Sequence, residues 1–261
     1  MKSDTDFKTF HYHACAHAFG GEFTRPFHDL IEVQAATALP IIGGHGHSRV
    51  GNFQFREFVS FKKGYTHVSG AHQVDDNSNN TLVTAAIEGL NVMDVLTADR
   101  IVARLYSKYQ DGAKEGEFTL VGSKFENLRI AGCPVHIDLD VALFAEIPTF
   151  KDARNAFDKK GKFRKIASDP FQTGKPLASQ GEQGAFLCSC VKEMETECPG
   201  VTRKGHSFHV KGFGTIFLGE VLIKNAERTL TMVRLELGSA ISGTGSMVQA
   251  FSNGRTYPPP P

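Results

Sequence analysis

The chain has no tryptophan and only 5 tyrosines against 21 phenylalanines. Rings with a polar edge are what sugar sites and interface hot spots favour, so this skew points to a dry aromatic core and away from a carbohydrate-binding face. An excess of charge is also missing: 29 Lys and Arg stand against 28 Asp and Glu, a formal net charge of +1 over 261 residues. Such a chain has no global field to draw in polyanions, and nucleic acid is not an expected partner. No apolar run reaches the roughly 18 residues that a membrane span requires. The opening Met1-Lys2-Ser3-Asp4-Thr5-Asp6 carries two acids where a secretory signal carries positive charge, and no apolar segment follows. Cysteines at 15, 133, 188, 190 and 198 are an odd count without the even spacing of a disulfide framework. That predicts free thiols in a reducing setting, with the cytoplasm as the default compartment.

Catalytic templates are lacking as well. There is no G-x-S-x-G elbow, no P-loop, no G-x-G-x-x-G after a strand and no H-E-x-x-H. Gly212-Phe213-Gly214 precedes a strand and so cannot set a phosphate at a helix N-terminus. The acids Asp75-Asp76 and Asp138 with Asp140 have the chemistry for acid–base work, but they read more simply as a solvated turn and an exposed strand face.

What is present is β pattern. The expected fold is mainly β: a single large sandwich, barrel or solenoid-like domain over 1–261 with one notable α-helix. Ile31, Val33, Ala35, Thr37 and Leu39 alternate as one half-buried strand, with Gly20-Gly21 separating it from what precedes. Val50 to Phe61 reads as a second strand with a bulge near Arg56-Glu57. The tract Val74-Asp75-Asp76-Asn77-Ser78-Asn79-Asn80 reads as an exposed loop that subdivides the chain. Residues 81–109 give a strand, a turn at Glu88-Gly89 and a second strand; Leu128 and Ile130 turn through Ala131-Gly132 towards Val135, Ile137 and Leu139. Strands resume at 186–191, 208–210, 215–223 and 229–237. The helix is predicted over Thr149 to Lys160, with Thr149 as cap, Asp152 three residues on, and Gly161 as its end. The basic stretch 159–183, including Lys159, Lys160, Lys162, Arg164 and Lys165, reads as a mobile loop, and 255–261 as a frayed proline-rich tail.

The segments TLVTAAIEGLNVMDVLTADRIVARLYSKY (81–109), FENLRIAGCPV (125–135), FGTIFLGEVLI (213–223) and TLTMVRLELGSA (229–240) together resemble the repeat style of bacterial choice-of-anchor P surface proteins, over about residues 80–245. The resemblance implies a β-rich domain with a surface or adhesive role, reached by non-classical export in a chain without a signal. Its motifs are turns and apolar strands and carry no catalytic group. The chain departs from that pattern in its histidine-rich N-terminal third and in having no C-terminal anchor.

The sharpest local feature is His11-Tyr12-His13-Ala14-Cys15-Ala16-His17. On a strand the odd positions share a face, which sets His11, His13, Cys15 and His17 in a row about 6.5–7 Å apart at Cα, while Tyr12, Ala14 and Ala16 face the other way. Two imidazoles so placed can reach one metal ion, and zinc is the ion expected. Further ligands must come from elsewhere, with His45 and His47 in Gly43-Gly44-His45-Gly46-His47 as the chemical candidates. That segment resembles part of a cupin motif but lacks its Glu. The plainer reading is a solvated histidine face. Cys188, Cys190 and Cys198 with His206 and His209 offer a weaker zinc set, against simple buried thiols. The function expected is therefore a non-enzymatic structural or interaction protein that self-associates into a homo-oligomer. The alternative is a metal-binding protein or metal-dependent enzyme built on the N-terminal histidines.

Overall fold

In the computed structural model, residues 9–159, 161–171, 184–238 and 240–257 are described. The chain opens with β1 (Thr9–Arg25), β2 (Asp29–Gln34), β3 (Thr37–Ala38), β4 (Gly44–Phe55), β5 (Val59–Gln73), β6 (Ser78–Val92) and β7 (Leu96–Gln110). Short strands follow: β8 (Glu117–Thr119), β9 (Lys124–Glu126), β10 (Arg129–Ile130), β11 (Cys133–Pro134) and β12 (His136–Leu139). They lead into α1 (Val141–Glu146), α2 (Phe150–Asp158) and α3 (Lys162–Ser168). The last part holds β13 (Ala185–Ser189), β14 (Val191–Glu195), β15 (Val201–Lys204), β16 (Ser207–Val210), β17 (Gly214–Lys224), β18 (Glu227–Leu237) and β19 (Ser242–Tyr257).

Seventeen of these strands form two large antiparallel sheets, and β12 and β14 pair as a separate small one. One runs β15-β16-β17-β18-β19-β1-β2, with β3 on β1 and β13 on β17; the other runs β11-β10-β7-β6-β5-β4, with β8 and β9 on β7. Among the described residues the fold is thus mainly β, as the alternation predicts. The sheets pack face to face as a sandwich, β1 over β5 and β6, β19 over β6 and β7. Period-two alternation is the cause: in β1, Tyr12, Ala14, Ala16 and Ala18 are buried while His13 and Cys15 are exposed. Ser107 of β7 and Ser252 of β19 meet across the interior at 2.9 Å, each satisfying the other. The part of the first sheet that extends past the second is roofed by helices. Phe150 and Phe157 of α2 and Phe163 of α3 converge on Phe186 of β13, with ring centroids 5.2–5.5 Å away.

The predicted helix is there. The Thr149 hydroxyl accepts from the Asp152 N–H at 3.0 Å and donates to its carboxylate at 2.6 Å, the reciprocal start that the sequence signals. Several expectations are corrected. Gly161 begins α3 instead of only ending α2, so 162–168 is helix and not mobile loop; residues 160 and 172–183 lie outside those described. β1 runs unbroken through Gly20-Gly21. Ile31 to Leu39 is not one strand, because Ala35 turns at φ 50° and the pairing of β1 with β2 shifts register, leaving Val33 exposed while Ile31 is buried. Arg56 lies in a hairpin turn at φ 49°, not in a bulge. The second turn falls at Met93 to Val95, since β6 continues through Gly89. Within the polar tract only 74–77 is turn. It joins β5 to β6 inside one sheet, and Ser78 and Asn79 are buried strand residues. Arg255 to Tyr257 pair with β1; 258–261 are not described.

Cys133 and Cys198, expected as free thiols, are disulfide-bonded to each other. The bond ties the β10–β11 hairpin of one sheet to the loop ahead of β15 in the other, where the Thr196 hydroxyl also donates to the Pro134 carbonyl at 3.1 Å. Among the described residues no helix is long and apolar enough to cross a membrane.

Candidate functional site

A cavity of about 720 Å³ opens at the end of the sandwich where β1 and β6 begin and β5, β7 and β19 finish. That volume lies in the range of small-molecule sites. Its apolar wall is Phe10, Ile42 and Ala71, and its polar groups are Tyr12, His72, Asn79, Asp111 and the threonines Thr9 and Thr256. Tyr12 is gripped by glycines: a Cβ at Gly70 would stand 2.8 Å from its ring and one at Gly43 3.0 Å. Any side chain at either position would push the ring out. Phe10 packs edge-on against it with centroids 4.7 Å apart.

The ring so held feeds a polar chain. The Tyr12 hydroxyl donates to Asn79 Oδ1 at 3.0 Å, and the Asn79 amide donates to Asp111 Oδ1 at 3.1 Å. His72 Nδ1 makes a longer contact, 3.4 Å, with Asn79 Oδ1. Tyr12 and Asn79 are 4% and 5% exposed, whereas His72 and Asp111 stand at the solvent side. A buried amide with its groups satisfied is a rigid support, and it holds one carboxylate oxygen of Asp111 at the cavity wall. Burial, and then the Asp111 charge, push the Tyr12 phenol up. Tyr12 therefore stays protonated and serves as a donor. Among the described residues Asp111 forms no ion pair.

The histidine candidates lie elsewhere and fall into two groups. His11, His13, Cys15 and His17 share the outer face of the first sheet, as the strand period requires. Across the ladder they meet Arg255, Asn253, Phe251 and Gln249, none of which is a histidine, thiol or carboxylate. His11 stacks on Tyr257 with centroids 5.0 Å apart, and His17 Nε2 lies 3.1 Å from the Ser246 hydroxyl. Burial lowers the His17 pKa, which favours the neutral ring. His45 and His47 stand on the outer face of the other sheet, so the structure does not bring them to the β1 row. Among the described residues no group of three or more His, Cys, Asp and Glu could hold a metal ion. That includes the weaker set: Cys198 is in the disulfide, Cys188 and Cys190 are buried thiols, and His209 is exposed beside Thr215.

His206 belongs to a different network, which the sequence did not signal. Glu220 of β17, 7% exposed, receives two hydrogen bonds from the Arg234 guanidinium at 2.6 and 2.9 Å. His206 Nε2 lies 3.1 Å from the same carboxylate, and its Nδ1 lies 2.8 Å from the Pro170 carbonyl. The Arg234 guanidinium covers the Phe217 ring at 3.7 Å. Burial pushes the Glu220 carboxyl up, but the hydrogen bonds from Arg234 and His206 outweigh it and hold the pKa at about 2. The paired acids are structural too. Asp76 binds Lys108 at 2.7 Å, and Asp140 caps α1 through Leu143 N and pairs with Lys162.

Fold and cavity together define a two-sheet antiparallel sandwich with a polar pocket at one end. The chain belongs to the family described as a domain of unknown function, DUF8256, whose model matches residues 10–174 and 166–224. No curated protein and no solved structure matches it.

Proposed function

We propose that this chain is a non-enzymatic binding module, a β scaffold whose end cavity takes a small ligand carrying an amine. The observation that carries this reading is the Asp111 carboxylate. It is aimed by a buried asparagine and an apolar-clamped tyrosine into a space of ligand size, with no cation beside it among the described residues. An ammonium group would complete the charge, and Phe10, Ile42 and Ala71 would cover its hydrocarbon part. The other reactive groups support binding over catalysis. The Glu220 carboxylate is committed to Arg234 and His206, and burial pushes the Cys188 and Cys190 thiols up, Cys190 to about 12, so neither is a ready nucleophile.

Putrescine and its neutral isostere 1,4-butanediol test this by thermal shift and ligand-observed NMR. The diamine is expected to raise the melting temperature and the diol not, with the response lost in Asp111→Asn and weakened in Asn79→Ala. Equal responses to both compounds, or an unchanged response in Asp111→Asn, would overturn it.

Self-association is a second part of the same proposal, favoured by a separate observation. The edge strands β2 and β4 lie on the same flank of the sandwich, linked by the Arg56–Asp29 ion pair at 2.8 Å. Beside them Leu30 and Val33 are 75% and 53% exposed. Open strand edges next to apolar side chains are what a second copy would cover. The Cys133–Cys198 disulfide supports an oxidising setting, in keeping with the surface role that the choice-of-anchor P resemblance implies, over the cytoplasm.

A further inference from the structure

The two histidines of β4 have a partner that no spacing in the sequence reveals. In the β4–β5 ladder His47 stands directly opposite His67, and His45 lies two residues further along β4 on the same face. All three are exposed, while Gly46, Ser48, Thr66 and Val68 between them turn inward. Directly opposed residues of an antiparallel pair carry their Cβ atoms about 4.5–5.5 Å apart. Two imidazoles each about 2.0 Å from one ion need their nitrogens only about 3 Å apart, a closure that rotation of two exposed side chains achieves without moving the backbone.

We infer that His47 and His67 form a two-imidazole clamp for a borderline divalent cation, water filling its remaining positions. Imidazole suits copper, nickel and zinc, and at a site with no imposed geometry Cu²⁺ binds most tightly of the three. The β1 row differs in the decisive respect: its ladder partners offer no second imidazole. Arg49, two residues from His47 on the same face, and Arg104, opposite Thr84, are exposed cations whose repulsion of a bound ion solvent and salt reduce. Thr84 lies opposite His67 on β6 and adds no competing charge. The inference does not depend on the end cavity.

Metal-free protein titrated with Cu²⁺ alone in a non-chelating buffer tests it, read by calorimetry and by electron paramagnetic resonance. The expected result is one ion per chain with nitrogen hyperfine structure. His67→Asn and His47→Asn should each lower affinity by about tenfold or more, because each removes one arm of a chelate. His13→Ala should leave binding unchanged. Binding must also weaken on acidification, since a protonated imidazole has no lone pair to give. Absence of binding, or equal binding by wild type and the two asparagine variants, overturns the inference. Both substitutions sit at exposed positions, so matched melting curves separate lost ligation from lost fold. The putrescine response should persist in His67→Asn, which keeps this test apart from that of the cavity.

Discussion

At the scale of single residues the most consequential group is Glu220. A carboxylate this buried is tolerated only because Arg234 grips it with two hydrogen bonds and His206 faces it from the other side. Its folded pKa of about 2 lies below its ordinary 4.5. The stability it contributes is therefore fully present above pH 4.5 and is lost progressively as pH falls from there towards 2. Urea unfolding followed across pH 2–6 should show this slope, and Glu220→Gln should flatten it. Glu220→Ala leaves Arg234 without its main acceptor and should cost about 3–5 kcal/mol at neutral pH. An unchanged slope in Glu220→Gln would show that other carboxylates dominate acid unfolding. None of this was legible in the sequence, where Glu220, Arg234 and His206 look like three unrelated polar residues. Asn79 is the same case: it sits in a run of turn-formers, and only the β5–β6 register places it indoors.

At the scale of elements, alternation was readable where one face is buried, whereas the doubly buried β17 and β18 were legible only as apolar strand runs. The first half of β1, His11 to Ala18, and the Cys133 hairpin follow their alternation, although β1 changes face at Phe19 and β7 between Ala98 and Ile101. β18 does not, because Leu230, Thr231, Met232 and Val233 are all buried, with strands on either side and packing on both faces. β19, the central partner of both β1 and β18, went unread since Gly243, Gly245, Ser246 and Gly254 mask it. Those glycines have a packing reason: a Cβ at Gly254 or Gly243 would collide with Phe10 or with the β1 backbone. The disulfide is the strongest link between elements, closing a sequence separation of 65 residues. Reduction, or Cys133→Ser, should lower stability by about 2–4 kcal/mol. A urea midpoint compared with and without reductant measures it; no shift would mean that the β10–β11 hairpin is held by packing alone.

At the scale of the whole molecule, the flank bearing β2 and β4 is where the sandwich is least complete. Among the described residues α2 and α3 cover β13 of the first sheet, whereas β2 and the 12-residue β4 end their sheets with no further strand paired to them. Light scattering over a concentration series should show a rise in mass above that of one chain. Leu30→Lys with Val33→Lys should suppress it by placing charge on the edge. A wild-type mass that stays at one chain throughout would remove self-association from the proposal.

By itself the sequence determined the β class, the capped helix at Thr149 and the face on which His11 to His17 of β1 lie, because these depend on periods of two and on contacts three residues apart. Which strands pair, that Asn79 aims Asp111, that Cys133 meets Cys198 and that His67 stands opposite His47 were decided only by the tertiary structure. The last three join positions from 20 to 65 residues apart and the pairing of β1 with β19 spans most of the chain; their registry follows from the burial of whole sheet faces at once, a condition no local pattern encodes.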